Sequence, residues 1–200
     1  MLKQKLQKEQ GAVGKLLKSV PISANQVTLL SLVFAFIAAY FIIQQNLLAG
    51  GILFLISGAL DAIDGAIARA KNQVTKFGGF FDGAIDRIVE SIFLISLMFY
   101  PFPAVFGISH TIWLSVLIVF GTFMPSFVRA YADHKQVINH EKAIEMGGIF
   151  ERTERIIAIF VGVGLAHFVV PEWLTYITIA AIILSIVTVI QRLIYIHKQG

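Results

Sequence analysis

The sequence predicts an all-α integral membrane protein of six transmembrane helices, with an amphipathic juxtamembrane helix at its N-terminus. Three observations predict it: the composition, the spacing of apolar runs, and the one-sided distribution of Lys and Arg. Of 200 residues, 57% are hydrophobic and 14% charged, whereas a soluble domain carries about a quarter charged residues. At about 20 residues per span the chain has room for six helices and short connections, and none for a separate soluble domain.

Residues 1–20 set Leu2, Leu6, Val13, Leu16 and Leu17 against a Lys-rich face. Such a pattern suits a membrane-surface anchor, or a lid over a cytoplasmic site. Pro21-Ile22-Ser23 interrupts it, and Ser23 or Asn25 can cap the helix that follows. Residues 21–200 then form a single six-helix transmembrane domain. Its apolar runs lie near 27–43, 48–70, 80–100, 112–132, 156–170 and 174–196. No signal peptide is evident, so the first run is expected to be a retained span.

Orientation follows from charge. Lys3, Lys5, Lys8, Lys15 and Lys18 precede the first span, and Arg69, Lys71 and Lys76 surround the second connection. Lys135, Lys142, Arg152 and Arg155 lie in the fourth connection, and Lys198 closes the chain. The other three connections carry no Lys or Arg. The positive-inside rule therefore predicts a cell-membrane protein with both termini in the cytoplasm. Trp113, Trp173 and Tyr176 fall at the opposite interface, as an aromatic belt.

Several function classes drop out. The net charge of +4 sits on the cytoplasmic side, beside anionic lipid, and no Arg/Lys run alternates with aromatics, so no nucleic-acid partner is expected. Cysteine is absent, which excludes disulfides, thiolate metal sites and Cys nucleophiles. There is no GxxxxGK, no HExxH, and no GxSxG with a matching triad. The five histidines are scattered over both interfaces.

Chemistry concentrates in the second and third runs, which read Asp61-Ala62-Ile63-Asp64 and Asp82-Gly83-Ala84-Ile85-Asp86. A charge inside a span costs a few kcal/mol even on lenient insertion scales. Arg69 and Arg87 can each offset one acid, which leaves the others without a structural reason. Spacings of three and four put each pair on one helix face. Counted outward from the short loop near Gln73, Asp64 matches Asp82 in depth and Asp61 matches Asp86. Four carboxylates are thus expected to converge on the cytoplasmic side. An oxygen-only cluster suits Mg²⁺ or Mn²⁺, and four negative charges can hold two divalent ions clamping a phosphate. Gly65, Ala68, Gly78, Gly79 and Gly83 serve close helix packing or open room for a ligand, and Arg69 is placed to meet a phosphate.

The run Asp61-x2-Asp64-Gly65-x2-Ala68-Arg69-x8-Gly78-x3-Asp82-x3-Asp86 resembles the signature of the CDP-alcohol phosphatidyltransferase family at every fixed position. The six-span layout and the Ser23-Ala24-Asn25-Gln26-Val27-Thr28 lead-in to the first span are similar to that family too. The resemblance implies a reaction in which a CDP-linked lipid donates its phosphatidyl or archaetidyl group to the hydroxyl of a small polar alcohol, releasing CMP. It implies Asp61, Asp64 and Asp82 as metal ligands, and Asp86 as a ligand that is also the general base. Asn25, Gln26, Val27, Gly65, Ala68, Arg69, Thr75 and Gly78 are implied as CDP-lipid-binding, and a homodimer as the assembly.

For the acceptor, Arg129, Arg152, Arg155 and Arg192 gather in the cytoplasmic half. They are membrane-flank charges or partners of nearby acids, or they bind a phosphorylated alcohol bidentately. The runs Ser126 to Asp133 and Gly148 to Arg155 resemble the inositol-phosphate-using branch, which makes phosphatidyl- or archaetidylinositol phosphate. Inositol 1-phosphate is the expected acceptor, although Tyr131 stands where that branch usually has Arg. Glycerol phosphate or an unphosphorylated alcohol is the alternative. A divalent-cation transporter is the alternative of a different class, since intramembrane acids also line ion paths.

Overall fold

Ser23 starts the first helix with a capping box. Its hydroxyl accepts the Gln26 N–H at 3.3 Å, while the Gln26 side-chain oxygen accepts the Ser23 N–H at 2.8 Å. The structure, a computed structural model, describes residues 21–71 and 74–199. The amphipathic segment 1–20 lies outside the described residues. Helix α1 spans Ala24–Ile43, α2 Leu47–Ala70 and α3 Lys76–Leu97. Next comes α4, His110–Leu117, which runs through a π-helical turn, Ile118–Phe123, into α5, Met124–His134. A short α6, His140–Glu145, leads to α7, Arg152–Phe168, and α8, Glu172–Gln199.

The protein is all-helical. Among the described residues the sole extended pairing is an isolated bridge between Val105 and Ile108. It closes a turn at Phe106 and Gly107, whose φ values are 55° and 74°, as tight hairpin turns require. Helices occupy all six apolar runs, and four are long and apolar enough to cross a membrane: Ala24–Ile43, Leu47–Ala70, His110–His134 and Glu172–Gln199. The other two fall short for identifiable reasons. Helix α3 carries Asp82, Asp86, Arg87 and Glu90, and α7 has 17 residues.

The described residues divide into two compact units. One comprises the chain up to Phe41 together with Ala49–Phe93, the other Ile42–Leu48 and the chain from Leu94 onward. In the first unit the Ser57 hydroxyl donates to the Ser31 carbonyl at 2.7 Å, fastening α2 to α1. Phe54 and Phe93 stack at 3.7 Å, fastening α2 to α3. The opposite face of α1 shows Leu29, Val33, Phe36 and Tyr40 to the exterior. An apolar stripe at helical spacing on the outside is what a hydrocarbon environment selects.

In the second unit α7 closes on α8 because Gly162 has no side chain. A Cβ there would lie 3.0 Å from Leu174 Cδ1 and 3.4 Å from Ile177 Cβ. The π turn precedes Pro125, whose missing N–H breaks the regular ladder. Within that turn Gly121 is buried, and a Cβ on it would meet Arg155 Cδ at 3.0 Å and Ser185 Oγ at 3.3 Å. Helix α6 starts at Asn139, whose side chain accepts the Lys142 N–H at 2.9 Å. Its Ala143 joins Ala132, Ile138 and Met146 in a small core packed with Tyr195 and Ile196 of α8.

Candidate active site

The site lies in the first unit, at the ends of α2 and α3 nearest their connection. Asp61 and Asp64 share one face of α2, and Asp82 stands in the second turn of α3. One carboxylate oxygen from each of Asp61, Asp64 and Asp82 lies within 4.8 Å of the others. Asp64 is buried, at 3% exposure. Its Oδ2 accepts a 2.5 Å hydrogen bond from the hydroxyl of Thr28, the length expected of a charge-assisted O–H···O contact. Asp86 stands outside this group of three, with Oδ2 3.5 Å from Arg87 Nη1. The donor set is all oxygen, and three carboxylates this close repel one another unless a cation joins them. It fits a hard divalent cation.

A cavity of about 300 Å³ opens beside the carboxylates. Asn25, Gly65, Ala68, Arg69, Thr75 and Gly78 line it, together with Thr28, Asp64 and Asp82. Of the residues expected to bind the CDP-lipid, Gln26 and Val27 do not line it. Gln26 is occupied in the capping box and Val27 is 6% exposed in the packing of α1. Arg69 folds back toward Gly65, and a Cβ on Gly65 would lie 3.3 Å from its Nη1. Thr75 caps α3, its hydroxyl accepting the Gly78 N–H at 2.9 Å. A Cβ on Gly78 would lie 3.0 Å from that hydroxyl and 3.6 Å from Asn25 Oδ1. The positive end of the α3 dipole therefore meets the cavity. Carboxylates, a guanidinium and a helix N-terminus thus line one cavity, an arrangement that takes a phosphate and its counter-cations together.

Sequence reasoning assigned no role to Thr28. Its one signal was a hydroxyl placed two residues after the capping box, on the face of α1 that also carries buried Ser31. Glu90, a turn beyond Asp86 and 3% exposed, was likewise assigned no role from the sequence.

The four candidate acceptor arginines belong to the second unit. Arg155 and Arg192 are buried, while Arg129 and Arg152 are half-buried. Arg192 donates through Nη1 to the Pro125 carbonyl at 2.5 Å and through Nη2 to Glu151 Oε1 at 3.1 Å. Arg129 lines a second cavity beside Asp133 and His140, which pair at 2.9 Å. Tyr131 stacks on Phe127 at 5.2 Å, and the Lys135 ammonium lies 5.5 Å from its ring centre.

Fold and site define a membrane protein whose carboxylate cluster and adjoining cavity suit a phosphate-bearing substrate. Residues 21–191 match the family model described as CDP-alcohol phosphatidyltransferase, and the chain belongs to that family. It is an enzyme of phospholipid biosynthesis that moves a substituted phosphate group from a CDP-linked lipid to an alcohol, releasing CMP. It is 33% identical over 173 residues to the archaetidylinositol phosphate synthase of Pyrococcus horikoshii, covering 82% of this chain and 85% of that one. It is 28% identical over 188 residues to the phosphatidylinositol phosphate synthase of Corynebacterium glutamicum, covering 94% and 83%. Its fold is similar to crystal structures of Mycobacterium tuberculosis phosphatidylinositol phosphate synthase. The complex with manganese and citrate gives a TM-score of 0.78 at 23% identity, over 96% of this chain and 90% of that one. The form with CDP-DAG bound gives 0.76 at 23% identity, over 94% and 92%.

Proposed function

We propose that this chain transfers a phosphatidyl or archaetidyl group to inositol 1-phosphate, at a site on the cytoplasmic side of the cell membrane. The observation that carries the donor half is the meeting of Asp61, Asp64 and Asp82 within 4.8 Å beside a cavity that also holds Arg69. Asp61, Asp64 and Asp82 would hold Mg²⁺ or Mn²⁺, two ions with Asp86 as a further ligand, and that metal would supply neutralisation of the diphosphate and polarisation of the attacked phosphorus. Arg69 and the N-terminus of α3 hold the diphosphate, with Asn25, Gly65, Ala68, Thr75 and Gly78 shaping the space for the cytidine end. Thr28 fixes the Asp64 carboxylate. Asp86 takes the proton of the acceptor hydroxyl as general base.

The acceptor half rests on the relatives named above and on the second unit. Arg129, Arg152, Arg155 and Arg192 bind the acceptor phosphate, the last two from buried positions. Tyr131 supports a second reading, in which the acceptor is an unphosphorylated alcohol, because a stacked phenol gives a phosphate less than a guanidinium would. The charge pattern supports six spans with both termini cytoplasmic, a surface-lying helix over residues 1–20, and one catalytic domain over residues 21–200. The family resemblance supports a homodimer.

An acceptor screen tests the assignment. Purified protein with CDP-lipid and Mn²⁺ is offered inositol 1-phosphate, free inositol and glycerol phosphate, and CMP release is followed. Inositol 1-phosphate is expected to give the highest kcat/KM. Preference for free inositol would remove the phosphate pocket from the assignment. Manganese uptake into liposomes without CMP release would replace the enzyme with a transporter.

A further inference from the structure

We propose that Gly148 and Thr188 are positioning residues for the acceptor, fastening residues 148–151 to α8 so that Glu151 sets both the first turn of α7 and the guanidinium of Arg192. The proposal rests on the reading above that arginines of α7 and α8 serve the acceptor phosphate.

Three consecutive residues lie against one face of α8. A Cβ on Gly148 would overlap the Thr188 methyl group, so only glycine lets the backbone come this close. The Ile149 N–H donates to Gln191 Oε1 at 3.1 Å. The Phe150 N–H donates to the Thr188 hydroxyl oxygen at 3.1 Å. The same hydroxyl lies 3.2 Å from the Phe150 carbonyl and 3.1 Å from the Leu184 carbonyl, and its single proton serves one of them at a time. Thr188 is fully buried.

The next residue is Glu151. Its side chain accepts the backbone N–H at the third position of α7, and its own N–H donates to Glu154 Oε2 at 3.0 Å. Its Oε1 also takes the 3.1 Å ion pair from Arg192. Arg192 follows Thr188 by four residues, so both project from one face of α8. One turn of α8 therefore grips the strap, and the next reads the carboxylate at its end. Arg152, the first residue of α7, follows that carboxylate directly. A shift of the strap moves Glu151, Arg192 and Arg152 together, and displacement by about 1 Å can cost a reacting or binding geometry up to a hundredfold.

The test uses the full chain in detergent with CDP-lipid, Mn²⁺ and inositol 1-phosphate, and reads CMP release. Thr188→Val and Gly148→Ala are expected to raise KM for inositol 1-phosphate roughly tenfold or more, with KM for the CDP-lipid unchanged. Thr188→Ser is expected to restore the parental value. Should the first two variants not fold, Gln191→Ala, at an exposed position of α8 that holds the same strap, is expected to show the same KM split. Equal movement of both KM values, or failure of Thr188→Ser to restore the acceptor KM, would overturn the proposal. Arg152→Ala runs alongside as reference. If it leaves the acceptor KM unchanged, the acceptor reading falls and this inference with it. If it raises the KM while Thr188→Val and Gln191→Ala do not, the positioning inference alone is overturned.

Discussion

The hydroxyl of Thr28 on α1 donates a 2.5 Å hydrogen bond to Oδ2 of Asp64 on α2, and both residues are buried, at 2% and 3% exposure. A carboxylate inside a span needs such a partner. The bond also restrains the orientation of the Asp64 carboxylate beside Asp61 and Asp82. A hydrogen bond to a charged group contributes about 1.5–3 kcal/mol, or about tenfold or more in an equilibrium constant. Thr28→Val keeps the shape and deletes the donor. It is expected to raise the Mn²⁺ concentration needed for half-maximal CMP release by about tenfold, and Thr28→Ser to return it to the parental value. An unchanged Mn²⁺ requirement in Thr28→Val would show that α1 does not help orient Asp64.

Three carboxylates within 4.8 Å store repulsion that a divalent cation relieves. Removing divalent metal with EDTA is therefore expected to lower Tm in detergent. Refilling to about 100 times the dissociation constant should return about 2.7 kcal/mol, roughly 5–10 °C for a chain of this size. Asp64→Ala is expected to abolish the metal-dependent shift. A Tm that responds to Mn²⁺ equally in Asp64→Ala and the parent would place the responding ion elsewhere.

Asp86 follows Asp82 by one helical turn, about 6 Å along α3, and stands outside the three-carboxylate group beside Arg87. That displacement sets Asp86, as base and outlying ligand, apart from the three clustered ligands. Asp86→Asn is expected to lower kcat by about 10²–10⁴-fold while Mn²⁺ binding, followed by electron paramagnetic resonance, changes by less than about tenfold. In contrast, Asp61→Ala and Asp82→Ala are expected to lose both. Collapse of Mn²⁺ binding in Asp86→Asn would make Asp86 chiefly a ligand.

How far the sequence carried can be read from individual residues. Ser23 was legible as a candidate cap of α1, because capping partners are local, whereas its reciprocal partner Gln26 was not singled out. Asp61 and Asp64 announced a shared face for the same reason, and the short loop after Ala70 was enough to bring Asp82 opposite them. Thr28 was not legible as a partner of Asp64, because that contact depends on where α1 crosses α2, and crossing is set by packing rather than by period. The π turn before Pro125 was equally hidden. Proline predicts a disturbance, but the extra residue is accommodated only because Gly121 lets Arg155 and Ser185 approach. Helix α6 is six residues long, too short to impose a period, and its core partners Tyr195 and Ile196 lie some fifty residues away in the chain.

Gly65 is the residue whose substitution separates packing from chemistry. Helix close-packing explains many glycines in membrane spans, but at Gly65 the three nearest neighbours of an added Cβ among the described residues are all atoms of the Arg69 guanidinium, with Nη1 at 3.3 Å. Gly65→Ala should therefore push the guanidinium out of the cavity without separating α2 from its neighbours. Alanine also favours the helix by about 1 kcal/mol over glycine, so Tm is expected to hold or rise slightly. The loss appears instead in KM for the CDP-lipid, expected to increase about tenfold as the guanidinium loses its alignment with the diphosphate. Arg69→Lys provides the matched control, since a point charge replaces the planar fork, and it should raise the same KM without changing that of the acceptor. A fall in Tm for Gly65→Ala with an unchanged KM would assign Gly65 to packing and take Arg69 away from the diphosphate.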